Sequence, residues 1–553
     1  MAVTQYVGAR YVPLFADPIE WDSQYAYEPL TIVLHEGNSY TSRQYVPKGV
    51  DISNDAFWAE TGNYNAQVEQ YREEVSGLST ALSALTTTVN GVISHFLTPE
   101  QFGAKGDGTT NDLQAFQRVS EIAKDNDNLT IVLKHDAEYY IDFPTDQNNF
   151  VALNFFGINN LEIIGNGAVV HVASNDNTKY FINIQACENV RIHDFTVYSE
   201  FDKPSQAFGD HTRDNAVGSN ICPIVLTNNN VKNVAVYNMT FRYMSVCVNC
   251  ISLPAFDTFS TGLHVFNCTS DYHAMFIFTN KYNNVTVNNC TLRGALRYGD
   301  GDHSFYFRGN IDTVTISNIT ATNDSYFGPD ILFYPDNAGD TYNTVANISN
   351  YSCTGNAFIS AYTGGNIRVN GFTFIQANES AHSSTTNYPV FGIRSNVLIN
   401  ATNGRVLNKN LVYGTAGELR VSNSYVLNSN YPIINLPKNA TVVVKNSTLI
   451  GRAIILSTET GNPSTTAIIE RCSMAISNTD VNYAIAARAS NSTVKLINNS
   501  IDLNTCEYLF SNAASAAVCV VKCNDIFNAT NTAKIGTLSS GSKQYGNYCN
   551  GAI

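Results

Sequence analysis

Charge is what this sequence has least of: Asp, Glu, Lys and Arg together supply 14% of 553 residues. Long helices laced with salt bridges are therefore excluded as the main architecture, and the abundance of Asn, Ser, Thr, Gly, Tyr and Phe suits strands joined by tight polar turns. A basic surface is also lacking. With 32 Lys and Arg against 46 Asp and Glu the net charge is -14, so there is no patch to neutralise phosphates and no nucleic-acid partner is expected. No stretch approaches the roughly 20 apolar residues of a membrane helix, so no membrane insertion is expected. Met1 to Arg10 has no basic segment followed by an apolar run, is not read as a secretory signal, and implies synthesis in a cytoplasm. The 12 cysteines are dispersed. Cys268 and Cys290 sit inside apolar strand patterns and read as small reduced interior residues. Cys247 and Cys250 lack two further ligands at finger-like spacing, so no metal is assigned, and no cofactor either.

The length exceeds that at which one compact core stops growing, which leaves several domains or a one-dimensional stack of repeats. Residues 1–62 form a separate β unit rich in Trp, Tyr, Pro and Gly, with Trp21, Tyr25, Tyr27, Tyr40, Tyr45 and Trp58. These aromatics suit either the core of a small domain or sugar binding. In residues 63–96 the apolar positions Val68, Tyr71, Val75, Leu78, Leu82, Leu85, Val89, Val92 and Phe96 alternate in steps of three and four, a heptad seam. Gly77 and Gly91 each cost about 1 kcal/mol of helix propensity, so this neck is expected to be stable only when bundled with copies of itself. Residues 97–125 open with Phe102-Gly-Ala-Lys-Gly-Asp-Gly-Thr-Thr-Asn-Asp112. A short helix follows with Leu113, Phe116, Val119 and Ile122 on one face, and Asn111 or Asp112 can accept the N–H groups at its start.

In residues 126–530, expected to form one domain, a pattern recurs from about 161 to 524: apolar, any, apolar, any, then Asn or a small or polar residue. It is read at Val190–Asp194, Val234–Asn238, Leu263–Asn267, Val285–Asn289, Val314–Asn318, Ile367–Gly371, Leu419–Asn423, Val442–Asn446, Ala467–Arg471, Val494–Asn498 and Val518–Lys522. A spacing of mostly about 21 to 32 residues without intervening helices implies a solenoid in which each repeat is one coil. Alternate apolar residues point inward and the Asn takes the bend, where left-handed geometry is tolerated. About 13 or 14 coils would give a rod of roughly 65 Å. Leucine-rich repeats do not fit, and the many Asn-x-Ser/Thr triplets read as turn ladders, not glycosylation sites. Residues 531–553 form a short polar tail.

These segments carry a resemblance. Tyr6 to Arg10, Tyr-Val-Gly-Ala-Arg, and Asp51-Ile-Ser-Asn54 resemble the N-terminal anchoring domain of appendage proteins from short-tailed phages of Gram-positive hosts. Phe102 to Asp112 resembles the entry segment of the pectate lyase-like superfamily, whose helix caps the open end of a right-handed parallel β-helix. The resemblance implies a mainly β homotrimer, a bacteriophage tailspike or tail appendage, attached to phage tail or collar proteins through residues 1–96 and located in the virion.

Chemistry is sought on the second strand of each coil, where aromatics replace plain aliphatics: His273–Phe278, Asp302–Arg308 and Asp330–Asp336. Phe276 or Phe278, Tyr306 with Arg308, and Tyr334 are expected to face out as a sugar-stacking wall, with His303 beside them. The carboxylates Asp271, Asp300, Asp302, Asp324, Asp330 and Asp336, with His273, cluster near these strands. Glycoside hydrolysis needs two carboxyl groups, roughly 5 to 5.5 Å apart for retention or 6.5 to 9.5 Å for inversion. Asp302 and Asp330 at equivalent positions one coil apart would meet this, with Asp300 and Asp336 as further catalytic candidates. Turn formation by Gly299-Asp-Gly-Asp302 and Gly328-Pro-Asp330 is the alternative, and calcium binding at Asp300 and Asp302 lacks full loop spacing. The insertion Ser199–Ile221 reads as a lid, a groove rim or an ordinary surface loop. Neither the polygalacturonase Asp-Asp and Gly-His-Gly motifs nor the lyase Arg pattern is present, so the resemblance carries no reaction type. The expected function is binding, and depolymerisation by a glycosidase or lyase, of host cell-surface polysaccharide or teichoic acid. The competing expectations are a non-enzymatic receptor-binding protein of the same architecture and a free bacterial polysaccharide enzyme.

Overall fold

The structure is a computed structural model. It describes residues 19–549 except 63, 125, 145–149, 174–178, 200–221, 228–229, 252–259, 295–302, 310, 323–328, 336–342, 363, 377–388, 395, 437–438, 457–463, 478–482, 488–490, 505, 507, 511–517 and 528–541. The chain divides into two compact units, Met1–Ile93 and Ser94–Ile553.

In the first unit the strands Ile19–Glu20, Ile32–His35, Asn38–Ser42 and Trp58–Gly62 form one sheet. Glu36 and Gly37 link the central hairpin, both at positive φ, the geometry that lets a two-residue turn follow the strand twist. The core is Tyr27, Val33, Val46, Ile52 and Trp58, with the Tyr27 and Trp58 rings edge to face at 5.2 Å. These two aromatics are thus interior packing, whereas Tyr25 and Tyr45 are exposed. The Tyr6–Arg10 motif lies outside the described residues. Helix α1, Tyr64–His95, follows. Tyr71, Val75, Leu78, Leu82 and Leu85 are all more than half exposed, so among the described residues these seam positions are not covered.

The second unit begins with a pinned loop. The Asp112 carboxylate is buried and accepts the N–H groups of Lys105 and Gly106 at 2.6 and 3.1 Å. Asn111 Oδ1 instead receives the Leu113 N–H at 3.1 Å, so of the two candidate side chains only that of Asn111 bonds at the helix start, while the Asp112 carbonyl accepts the N–H groups of Ala115 and Phe116. Helix α2, Leu113–Ala123, buries Leu113, Phe116 and Val119. Ile122 is 45% exposed, and Ala123 takes the inner position expected of it.

The rest is a stack of parallel windings with three faces. A first sheet runs from Leu129–Val132 through Asn159–Ile164, Glu188–His193 and Lys232–Tyr237 to Lys543–Tyr545, each strand paired in parallel with the next. Long strands such as Thr313–Thr322 and Gly365–Gln376 start in this sheet and, past one bend, enter the second. The third sheet contains Lys179–Gln185, Cys222–Thr227, His303–Arg308, Pro329–Tyr334 and Ala357–Ala361. The bend residues are uniformly left-handed, with φ of 53° at Asn238, 55° at Asn267, 55° at Asn318, 51° at Asn350 and 69° at Gly371. Their amides form a ladder: Asn289 donates to Asn267 Oδ1 at 2.8 Å, and Asn350 to Asn318 Oδ1 at 3.1 Å. Where Arg471 takes the bend, its Nε fills the same role toward Asn446 Oδ1 at 3.0 Å.

Interior positions alternate as expected, for example Val285, Val287, Val314 and Ile316. The last repeat is corrected by one residue: Val494 pairs with Cys519, so the interior pair is Cys519 and Val521, the bend is Cys523, and Val518 is 38% exposed. Ten cysteines, Cys187 to Cys519, are buried and Cys523 is exposed, with no disulfide among the described residues.

Replacing Asn350 by Ala should cost about 1 to 2 kcal/mol for the left-handed backbone, together with about 1 kcal/mol for the lost ladder bond. Asn350→Gly should lose only the bond. Thermal unfolding of the two variants gives the comparison, and equal melting points would mean that the backbone geometry at the bend carries no cost.

Candidate functional site

The third sheet presents its outer face through alternation. Register pairs Phe278 with Tyr306 and Tyr306 with Leu332, and one step outward pairs Asn280 with Arg308 and Arg308 with Tyr334. Inward between them lie Ile277, Phe305 and Ile331, all fully buried, and Phe307 and Phe333. The outer rings meet in sequence. Phe278 and Tyr306 are edge to face at 5.2 Å, Tyr306 and Tyr334 at 6.3 Å, and Tyr334 and Tyr362 tilted at 5.0 Å. The Arg394 guanidinium closes the row, 4.7 Å from the Tyr362 ring centroid. The steps approximate the ~4.8 Å rise of one winding, so the row climbs the coil axis one winding at a time. At its lower end Phe278 packs on Cys222, Val225 and Val246, a small apolar cluster separate from the interior core.

Four expected wall residues, Phe278, Tyr306, Arg308 and Tyr334, are thus brought to one face. Phe276 is interior. Tyr362 and Arg394 were not anticipated, because each lies just past a short strand, Ala357–Ala361 and Phe391–Ile393, with no aromatic run to mark it.

Two histidines move inward. His303 is buried with Nδ1 2.7 Å from the Pro329 carbonyl, and its ring meets Tyr306 edge on at 5.3 Å. It therefore backs the wall and does not line it. His273 is buried, with Nδ1 2.9 Å from Ser270 Oγ, and burial pushes its pKa down to about 3, so it is neutral.

Asp330 requires the largest correction. Phe305 pairs with Ile331, which sets Ser304, and not Asp302, beside Asp330. The Asp330 side chain is fully buried. It accepts the Ser304 hydroxyl at 2.5 Å and the hydroxyl of Tyr351. Burial, reinforced by this carboxylate, pushes the Tyr351 phenol and the Cys353 thiol well above their ordinary values. A carboxylate so enclosed cannot reach a sugar on the outer face. The gap in the sequence argument was one of phase: the chain enters the third sheet through two consecutive inward residues, as at Phe276 and Ile277, and strict alternation from Tyr334 backward misplaces the strand's start. Asp300, Asp302, Asp324, Asp336 and the insertion 200–221 lie outside the described residues. Asp271 is described, on another column, where Arg293 Nη1 approaches it at 3.8 Å and stacks over Tyr272 at 4.1 Å. Among the described residues no group of three His, Cys, Asp or Glu is placed to hold a metal ion, and no helix is long and apolar enough to cross a membrane.

Three parallel sheets wound around one continuous core define a parallel β-helix protein. No protein-family model matches the chain, and neither does any curated protein. Among solved structures it is similar to tailspike protein 3 of bacteriophage CBA120, at 12% identity over 97% of this chain and 78% of that one, TM-score 0.44. It is also similar to a tailspike protein mutant of E. coli bacteriophage HK620 in complex with a hexasaccharide, at 10% over 84% and 81%, TM-score 0.48. A third is the N-terminal fragment of gene product 12 of bacteriophage Phi29, at 14% over 85% and 74%, TM-score 0.42. Such identities and TM-scores carry no chemistry from those proteins to this one.

Replacing Asp330 by Ala should leave the Ser304 and Tyr351 hydroxyls without their acceptor, at about 1 to 3 kcal/mol for each, and lower the melting temperature. Glycan binding per folded molecule should not change. An unchanged melting point with binding lost would return Asp330 to the site.

Proposed function

We propose that the chain is a virion-borne tailspike or appendage that binds host cell-surface polysaccharide on the outer face of its third sheet. The observation that carries this is the axial row Phe278, Tyr306, Tyr334 and Tyr362, flanked by Arg308 and Arg394. Aromatic faces stack on the apolar faces of sugar rings, and guanidinium groups donate several hydrogen bonds in a fixed plane. A row that climbs one winding at a time suits a polymer, not a single small ligand. Anchoring of residues 1–96 to phage tail or collar proteins is supported by the sequence resemblance of that region.

Cleavage is assigned to acids that adjoin this face in the sequence: Asp300 and Asp302 immediately precede the strand His303–Arg308, and Asp336 follows Tyr334 by two residues. Asp330 is withdrawn from this assignment by its burial. One carboxyl group of the pair would protonate the leaving oxygen while the other attacks the sugar or activates water.

In affinity electrophoresis through gels carrying purified host envelope polysaccharide, Tyr334→Ala and Tyr362→Ala should each weaken retention about tenfold, the equivalent of roughly 1.4 kcal/mol. Undiminished retention of the double variant would remove the wall from the proposal. Asp302→Asn should abolish release of reducing ends with binding intact. A wild-type protein that binds and releases no fragment would instead fit the receptor-binding reading.

The exposed seam of α1 supports self-association, and three chains are what the resemblance to tailspikes implies. Sedimentation should give a trimer, dispersed by the double change Leu78→Glu and Leu82→Glu. A monomeric wild type would contradict the seam's role.

A further inference from the structure

The corner between the first and second sheets carries a second feature. Two residues beyond each bend, one side chain per winding points outward from the second sheet. Register pairs Thr240 with Thr269, Thr269 with Thr291, Thr291 with Thr320, Thr320 with Ser352 and Ser352 with Thr373. The Asn-x-Ser/Thr triplets are therefore two parallel ladders, amides at the bend and hydroxyls beside them. Some of the amides bond to one another, as Asn350 does to Asn318, and others to neighbouring residues, as Asn403 does to Asn370. Among the described residues the hydroxyls of Thr320, Ser352 and Thr373 form no internal hydrogen bond, and Thr320 and Ser352 are exposed.

The column then changes character. Thr373 pairs with Arg405 and Arg405 with Tyr425, before hydroxyls resume at Thr448. Between the two ladders runs an open groove of about 920 Å³, from Asn318 to Thr448. A second hollow of about 520 Å³ lies at the same corner lower in the stack, at Thr196, Asn238 and Thr240. The larger groove crosses successive windings and is lined mostly by amides and hydroxyls, with Ile319, Gly371, Phe372 and Gly404 between them. Arg405 is the single charged residue in its lining, and Tyr425, one winding on, is 36% exposed.

We propose that this groove is a second saccharide site, which takes a linear neutral glycan lying along the coil axis. A polyanion would need a cation at each winding and a polycation an acid, whereas the groove offers one charge in its length. Hydroxyl donors and acceptors repeating at ~4.8 Å match a ligand that presents hydroxyls on every residue. Tyr425 supplies one stacking face, and Arg405 fixes the chain at one point. The site lies on the second sheet and shares no residue with the aromatic wall.

The test is affinity electrophoresis of the full chain through gels carrying linear neutral glycans, namely α- and β-linked glucans, a galactan and a mannan. At least one should retard the wild type. Ser352→Arg and Thr373→Arg, which fill the groove from outward positions, should weaken that retention at least tenfold with unchanged melting temperature, and Arg405→Ala should weaken it less. Tyr334→Ala with Tyr362→Ala should leave it unchanged, so failure of the wall and failure of the groove give different patterns. The proposal is overturned if no neutral glycan retards the wild type, or if both groove-filling variants are retained like the wild type. It is also overturned if those variants change the sedimentation of the protein, because the corner would then be a contact between copies.

Discussion

Each winding must turn from the first sheet to the second at a single residue, and a left-handed backbone is what permits so abrupt a turn. Asn tolerates that conformation better than other side chains and offers, on one amide, a donor for the winding below and an acceptor for the winding above. Asn267 donates to Asn238, Asn289 to Asn267 and Asn350 to Asn318, while Asn318 donates to Asn288, so amides at the bend tie the axial register of successive windings. In parallel strands a slip of one residue would exchange inner and outer faces. The placement of Phe305 inside and Tyr306 outside is held in the same way by register with Ile277 and Phe278 before and Ile331 and Leu332 after.

The interior that the bend creates is not uniformly apolar. Cysteines such as Cys268, Cys290 and Cys353 are buried in it, and burial keeps the thiols of Cys247 and Cys250 protonated. Asp330 is the exception that demands partners. Its hydroxyl donors come from the winding before it, Ser304, and from the adjoining sheet, Tyr351, so it ties two faces of the prism together. A residue chosen as a catalyst for its position between turns is in this fold a structural tie.

The sequence made the first sheet legible because its two inward residues precede a distinctive bend residue. Coils escaped notice where an inward Ala lies among polar neighbours, as at Ala346 before Asn350 and Ala401 before Asn403, whereas Ala467 before Arg471 is marked by Ile468 and Ile469 beside it. Arg471 shows the converse, a bend with an unusual residue recognised from the apolar residues before it, whereas in the last repeat the apolar Val518 pulled the frame back by one and put Lys522, not Cys523, at the bend. The wall was legible in part. Tyr306, Arg308 and Tyr334 lie late in their strands, where alternation holds, whereas His303 and Asp330 lie at the corner, where it does not. Tyr362 and Arg394 belong to strands too short to reveal their phase, and only the three-dimensional register brings them beside Tyr334.

A rod that repeats every ~4.8 Å is suited to a ligand that also repeats. Each ring on the wall and each hydroxyl on the corner contributes little alone, roughly 0.5 to 1.5 kcal/mol even for aromatic contacts. Once one sugar is held, however, its neighbours in the polymer are confined near the next winding, and later contacts form at high effective concentration without a new loss of translational freedom. Affinity on such a surface grows with the number of windings engaged, so loss of one contact weakens binding while a bulky side chain that lifts the polymer from several windings abolishes it. The same periodicity that keeps Asn350 above Asn318 is what turns a set of weak contacts into a binding face.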